Sequence, residues 1–136
     1  MTILVTRPSP AGEALVARLR KLGHQAFHSP LIEIARGAEL DALPEQLKAL
    51  QAGDLVIALS QHAVHYAASV LRAAGQRWPN APTYCAIGRT TALALHQVSS
   101  ANVTYPPERE TSETLLEMPE LQNISGKNAL LLRGNG

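Results

Sequence analysis

Five short turns in this sequence combine hydroxyl groups, arginines and glycines in a way that suits an anionic ligand. They are Thr6-Arg7-Pro8-Ser9, Ser60-Gln61-His62, Gly88-Arg89-Thr90-Thr91, Glu110-Thr111-Ser112 and Arg133-Gly134-Asn135-Gly136. Hydroxyls, guanidinium groups and the backbone N–H groups at helix starts bind carboxylates and phosphates in many proteins. Serine and threonine are also the preferred helix caps, so capping alone is the simpler interpretation of any single turn.

Other kinds of reactive site have little support in the sequence. The five histidines have no partners at the spacing of a zinc site. The single cysteine, Cys85, excludes an internal disulfide, and its apolar neighbours are typical of a small buried side chain. The last turn has only two glycines and lacks a ribose-binding acid, so it matches a dinucleotide loop poorly. We therefore expect no metal and no cofactor, and an enzyme of this kind would hold and orient a reactive substrate.

Charge and composition argue against polymeric and membrane partners. The net charge of +1 and the 4% content of aromatic residues do not favour nucleic acid. No apolar stretch approaches the roughly 20 residues that span a bilayer, and no basic leader follows Met1, so we expect a cytoplasmic protein without a membrane partner. One acidic cluster has the spacing of a solvated helix face. Its members are Glu108, Glu110, Glu113, Glu117 and Glu120.

Strand-like and helical patterns alternate along the chain, and they determine where the turns lie. The predicted strands begin near Ile3, Gln25, Leu55, Tyr84, Val103 and Asn128. The run from Leu55 to Leu59 is continuously apolar, which is typical of a strand covered on both faces of a parallel sheet. Repeated strands and helices with short connections predict an α/β protein with an open parallel sheet flanked by helices, similar to flavodoxin-like proteins.

The spacing of polar and apolar residues also predicts where helices begin and which faces they bury. Three serines, Ser9, Ser60 and Ser112, are predicted to cap helices. The buried face predicted for the first helix is Leu15, Leu19 and Leu22, and that for the helix after Ser60 is Val64, Ala67, Ala68 and Leu71.

Six segments, taken in their order, form a more specific pattern than any one of them. They are Ile3-Leu4-Val5-Thr6-Arg7-Pro8, Gly23-His24 with Pro30-Leu31-Ile32, Leu59-Ser60-Gln61-His62-Ala63-Val64, Ala86-Ile87-Gly88-Arg89-Thr90-Thr91-Ala92, Ser112-Glu113 with Leu115-Leu116, and Leu130-Leu131-Leu132-Arg133-Gly134. This ordered set resembles the uroporphyrinogen-III synthase family over nearly the whole chain, and it is most similar to the enterobacterial branch.

The resemblance implies two similar α/β domains joined by a two-stranded connector, with the active site in the cleft between them. The first domain of that family is split, and the second is inserted into it. Residues 1–35 would be the opening segment of the split domain, and residues 36–136 would be the inserted domain, truncated at its C-terminal end. The full-length form is then expected to be a monomer, and a swapped dimer is an expected form of this half-length chain.

The resemblance also implies a lyase activity in tetrapyrrole and heme biosynthesis, without a cofactor. Family members cyclise hydroxymethylbilane to uroporphyrinogen III, with inversion of the terminal pyrrole ring and loss of water. The substrate's acetate and propionate groups would be bound by Thr6, Arg7, Ser60, Gln61, His62, Ala63, Gly88, Arg89, Thr90, Thr91 and Ser112. The tyrosine thought to assist departure of the hydroxyl would lie beyond Gly136, so no catalytic residue is assigned to Tyr66, Tyr84 or Tyr105. With one wall of the cleft missing, the chain is expected to have little ring-inverting activity.

Two other functions remain open at the level of the sequence. One is a non-catalytic α/β module that binds a small anion through the same turns. The other is an interaction or assembly protein, because the first strand–helix–strand segment has no further strands of its own to pair with.

Overall fold

The computed structural model describes residues 1–134, and they divide into two compact units. The first unit is Met1–Arg36, and the second begins at Gly37. Asn135 and Gly136 complete the last of the five turns and lie outside the described residues. None of the helices in residues 1–134 is long and apolar enough to cross a membrane.

The first unit is one strand–helix–strand segment. Strand β1 (Thr2–Val5) and strand β2 (Gln25–His28) are parallel, with Leu4 opposite Phe27 in the register. Helix α1 (Ala11–Lys21) makes the crossover that a parallel pair requires. Leu4 and Phe27 remain 61% and 53% exposed, so one face of this two-stranded sheet exposes two large apolar side chains, with the Arg20 guanidinium carbon 6.0 Å from the centroid of the Phe27 ring.

Helix α1 buries a different face from the one that the leucine spacing predicts. Gly12 and Val16 are its buried residues, whereas Leu15 is 40% exposed and Leu22 is 67% exposed, so the prediction was wrong for these two leucines. The reason is a close approach at Gly12, where a Cβ atom would collide with the carbonyl oxygen of Arg7. Glycine lets the helix lie against the loop after β1, and of the three predicted leucines Leu19 packs against the cluster of Val5, Val16 and Ala26.

The second unit contains a four-stranded sheet with strands in the order β5-β4-β3-β6, all parallel. Its strands are β3 (Leu55–Ala58), β4 (Thr83–Ala86), β5 (Val103–Thr104) and β6 (Ala129–Leu132). Its α-helices are α2 (Leu43–Ala49), α3 (Gln61–Ala73), α4 (Arg89–Ser99) and α5 (Ser112–Leu116), with short 3-10 helices at Ala38–Ala42 and Pro119–Leu121. The predicted α/β architecture with a parallel sheet flanked by helices is confirmed.

Both faces of this sheet are covered, as the apolar run in β3 predicts. Val56 and Ala58 pack with residues of α2, α3 and α4, while Leu55 and Ile57 pack with residues of α5 and the second 3-10 helix. Cys85 belongs to the second of these clusters and is fully buried, which confirms its expected role as a core side chain. The predicted buried face of α3 is also confirmed.

Of the three serine caps, only Ser60 is confirmed. Its side chain accepts a hydrogen bond from the backbone N–H of His62 at 3.2 Å. Pro10 holds the cap position of α1, and the Ser9 hydroxyl donates instead to the Glu13 carboxylate at 3.0 Å. Helix α5 is capped by Thr111, which leaves Ser112 as its first helical residue. At both sites the cap position differs by one residue from the predicted serine.

Candidate functional site

The carboxyl ends of three strands meet at one edge of the larger sheet. Ala58 at the end of β3 is in register with Ala86 on one side and with Leu132 on the other. The backbone hydrogen bonds continue past the strands, because Leu59 donates to Leu132 and Ile87 donates to Ala58, each at 2.9 Å. The turns that follow β3 and β4 therefore lie side by side, next to the end of β6 at Leu132.

Strand β3 is the point at which the direction of the sheet changes. The chain continues from β3 to β4 and β5 on one side, and β6 is then added on the other side of β3. In open α/β sheets, ligands bind outside the carboxyl ends of the strands at such a switch point. The turn after β3 is therefore the centre of the candidate site.

The turn after β3 places its polar groups at the start of α3, a helix of 13 residues. Ser60, Gln61, His62 and Ala63 are all partly exposed at this position. The first turn of α3 contains no acidic residue, so no carboxylate of its own offsets the positive end of the helix dipole. The Ser60 hydroxyl satisfies the backbone N–H of His62, one of the N–H groups at the start of a helix that have no partner within the helix.

The turn after β4 is different because a carboxylate of the protein already lies on it. Helix α4 begins at Arg89 with Gly88 at the cap position, and Oε1 of Glu110 accepts a hydrogen bond from the Arg89 backbone N–H at 2.9 Å. The Glu110 side chain also fills the space beside Gly88 that a Cβ atom would need. Arg89 and Thr90 are exposed, whereas Thr91 is buried with 7% exposure.

The turn before α5 satisfies its own hydrogen-bonding groups. The Thr111 hydroxyl accepts from the Thr114 N–H at 3.4 Å, and the Thr114 hydroxyl accepts from the Thr111 N–H at 3.3 Å. Glu113 adds a carboxylate, whose pKa is lowered below its ordinary value by hydrogen bonds from its own backbone N–H and from the Thr111 hydroxyl. Ser112 is exposed on this short helix.

In the first unit, Thr6 and Arg7 follow β1 with both residues exposed. Two hydrogen bonds to their carbonyl oxygens hold the backbone of this loop. His28 Nε2 lies 2.8 Å from the Arg7 carbonyl oxygen, and because a carbonyl only accepts, this ring nitrogen carries the proton and donates it. The Leu31 N–H donates to the Thr6 carbonyl at 3.3 Å. The loop is thus fixed through its main chain.

Two contacts at these turns were missed by sequence reasoning. Glu110 lies 21 residues after Arg89, and His28 lies 21 residues after Arg7, so no local spacing links either pair. Glu110 belongs to the acidic cluster that was expected to form a solvated helix face, and that expectation was wrong for this residue. Only proximity in the fold brings each pair together.

Within residues 1–134, neither Tyr84 nor a metal-binding cluster supplies catalytic chemistry at this edge. Tyr84 is buried, its hydroxyl donates to the Pro79 carbonyl at 2.6 Å, and burial raises its pKa to about 12. Within residues 1–134, no group of three or more His, Cys, Asp or Glu side chains is placed to hold a metal ion. What the edge offers is backbone N–H groups, hydroxyls and an arginine, which suit binding and orientation.

Such an arrangement defines an open parallel α/β protein with helix-start turns at the carboxyl edge of its sheet. The family model described as uroporphyrinogen-III synthase HemD matches residues 13–136. The chain belongs to this family, in agreement with the ordered set of six segments.

Curated relatives show how much of a family member the chain represents. It is 62% identical over 136 residues to the uroporphyrinogen-III synthases of Escherichia coli K12 and Salmonella typhimurium LT2, and it spans about half of their length, 55% in each case. It is 49% identical to the uroporphyrinogen-III synthase of Proteus mirabilis, of which it covers 68%. In all three comparisons the whole of this chain is aligned.

Proposed function

We propose that this chain provides substrate-binding turns of a uroporphyrinogen-III synthase. The reaction would be the lyase-type cyclisation of hydroxymethylbilane to uroporphyrinogen III, with loss of water and inversion of the terminal pyrrole ring. The observation that carries the proposal is the meeting of helix-start turns at the carboxyl edge of β3, in a chain of this family. A linear tetrapyrrole with acetate and propionate side chains has anionic groups at intervals that several neighbouring turns can bind.

The reaction depends on how the substrate is positioned more than on a nucleophile of the protein. Once a proton is supplied, the hydroxyl of the substrate's hydroxymethyl group leaves as water, and the methylene carbon that remains in the azafulvene is electrophilic. Closure through a spiro intermediate inverts the last ring, whereas closure without inversion gives the other isomer. Holding the chain in the inverting geometry is therefore the work of the binding site.

We assign the binding roles by place in the fold. The turn at Ser60, Gln61, His62 and Ala63 would bind one carboxylate at the start of α3. The turn at Gly88, Arg89, Thr90 and Thr91 would bind a second, and Ser112 would contact the substrate from the start of α5. Since Thr91 is buried, its contribution would come from its backbone rather than its hydroxyl. Thr6 and Arg7 would contact the substrate from the first unit.

The first unit fits the opening segment of a split domain, and the second fits an inserted domain. We propose this division for residues 1–35 and 36–136. The exposed pair Leu4 and Phe27 supports it, since an apolar sheet face requires cover.

The same pair favours self-association of the chain, which sedimentation velocity would detect as a dimer. A stable monomer at micromolar concentration would count against that association.

A binding comparison tests the proposed function directly. The chain is titrated calorimetrically with a linear tetrapyrrole carboxylate, with inorganic phosphate as the competing ligand. We expect the tetrapyrrole to bind more tightly and a Ser60→Ala, Arg89→Ala double variant to bind it more weakly. Equal or tighter binding of phosphate would favour the small-anion module instead.

An activity assay complements the titration. Hydroxymethylbilane is supplied to the chain, and the two uroporphyrinogen isomers are separated after oxidation, with the Escherichia coli relative as the positive control. We expect the chain to give much less of the inverted isomer than the relative. If the chain produced the inverted isomer at the relative's rate, the part of the family's length that this chain does not cover would not be needed for inversion, and this expectation would be contradicted.

A further inference from the structure

The carboxylate of Glu110 occupies the turn that the proposed function reserves for a carboxylate of the substrate. Its Oε1 accepts from the Arg89 N–H at 2.9 Å, and its side chain lies against Gly88. We propose that Glu110 is a specificity-determining residue that a ligand carboxylate must displace in order to bind the turn after β4. This inference rests on the proposed function of that turn.

The absence of a side chain at Gly88 leaves the space in which the Glu110 carboxyl group lies. A Cβ atom at residue 88 would collide with the Glu110 carboxyl group, so only glycine leaves space for it. Gly88 has an extended backbone that any residue adopts, so conformational freedom does not explain the glycine. The space that glycine leaves is filled by a carboxylate, which is the group that the substrate would bring.

Glu110 can leave without rearrangement of the backbone. Pro106 is buried, and the Thr114 hydroxyl donates to the Arg109 carbonyl at 2.6 Å, so the segment is held on both sides of the residue. The side chain itself is exposed and has three rotatable bonds. Rotation of this side chain would therefore open the Arg89 N–H while the backbone keeps its course.

At the neighbouring turn, among residues 1–134, the structure shows a hydroxyl rather than a carboxylate on the backbone N–H of His62. The backbone N–H of His62 is satisfied by the neutral hydroxyl of Ser60, and the first turn of α3 contains no acidic residue. The two turns would thus select differently, because a carboxylate binds the Ser60 turn freely but must replace Glu110 at the Arg89 turn. A ligand with several linked carboxylates overcomes this competition more readily than one with a single carboxylate.

The test compares two variants of equal charge. Amide NMR signals of the chain are followed during titration with sodium propionate, in Glu110→Ala and in Glu108→Ala. Glu108 is an exposed carboxylate on the same segment, so both variants remove one negative charge. We expect the Arg89 amide of Glu110→Ala to reach half of its shift at a propionate concentration at least about tenfold lower than in the unmodified chain. Glu108→Ala should behave as the unmodified chain does.

A second variant controls for the possibility that Glu110→Ala disturbs the local structure. Glu110→Gln keeps an oxygen that accepts from the Arg89 N–H but loses the charge, and it should fall between the unmodified chain and Glu110→Ala. The proposal is overturned if both Glu110 variants bind propionate no more tightly than Glu108→Ala. Tighter propionate binding at Arg89 without any tetrapyrrole binding would leave this inference standing and refute the proposed function.

Discussion

The carboxylate of Asp54 binds Asn128, 74 residues later in the chain. Its Oδ1 accepts from the Asn128 backbone N–H at 2.8 Å, and its Oδ2 accepts from the Gln51 backbone N–H at the same distance. Asp54 is 6% exposed and immediately precedes β3. One side chain therefore joins the segment just after α2, the start of β3 and the residue before β6.

Asp54 should make the stability of the second unit depend on pH. The backbone N–H groups of Gln51 and Asn128 lower its pKa below the ordinary value of 3.8 in the folded chain. Because the folded-state pKa is the lower one, the stabilisation is fully present above the unfolded-state pKa and is lost as the pH falls through the folded-state pKa. We expect Asp54→Asn to lower the melting temperature at pH 7 and to flatten its decline as the pH is lowered through the ordinary value of 3.8 and below it.

Circular dichroism melts across this pH range measure the effect. The exposed Glu39, replaced by Gln, is the control for removal of a carboxylate from the same unit. An acid decline in Asp54→Asn that parallels the unmodified chain would show that Asp54 does not carry the dependence.

Two leucines on α4 should differ sharply in their contribution to stability. Leu95 is fully buried and Leu93 is 57% exposed, although they lie two residues apart on one helix. Leu95→Ala should lower the free energy of unfolding by about 2–5 kcal/mol through lost burial and a cavity. Leu93→Ala should change it by no more than about 0.5 kcal/mol. Urea titrations of both variants measure the difference, and similar costs would contradict the placement of this helix.

Gly12 should reverse the usual effect of replacing a helical glycine. Alanine in a helix is normally more stable than glycine by about 0.5–1 kcal/mol. At Gly12 an added Cβ meets the Arg7 carbonyl oxygen and the His28 ring, so Gly12→Ala should destabilise the first unit by about 1–3 kcal/mol. The urea midpoint of amide signals from residues 1–36 measures this. Ala17→Gly, at an exposed position of α1, should show the ordinary helix penalty.

The cap of α5 can be tested by two adjacent substitutions. Thr111→Ala removes the hydroxyl that accepts from the Thr114 N–H, and we expect a loss of about 1 kcal/mol in unfolding free energy. Ser112→Ala leaves that cap intact and should cost only a few tenths of a kcal/mol. Urea denaturation of both variants decides between them. A larger loss for Ser112→Ala would restore serine as the cap.

The parts of the fold that were predictable depend on residues close together in the chain. The four buried residues of α3 repeat at helical spacing, Ser60 directly precedes them, and β3 is apolar throughout. The buried face of α1 depends instead on contacts of Gly12 with Arg7 and His28. The contact between Gly12 and His28 spans 16 positions, so the spacing of leucines within the helix carries no information about it.

The candidate site also has a part that the sequence predicts and a part that it does not. The turns were predictable because hydroxyls, glycine and arginine follow apolar runs. The sequence could not predict which backbone N–H groups already have a hydrogen-bond partner, because Glu110 contacts Arg89 from another loop, 21 residues away. The sequence pattern predicts where an anion would be bound, whereas the fold shows which of those positions the protein occupies with its own carboxylate.

The strand order has a consequence for synthesis of the chain. Leu55 of β3 pairs with Thr83 on one side and with Ala129 on the other. During translation the first partner emerges well before the second, at roughly 5–20 residues per second. One edge of β3 therefore stays unpaired on the ribosome for several seconds after β4 has formed. An open edge is a template for any strand nearby, so this interval is when a chaperone or a neighbouring nascent chain would compete with β6.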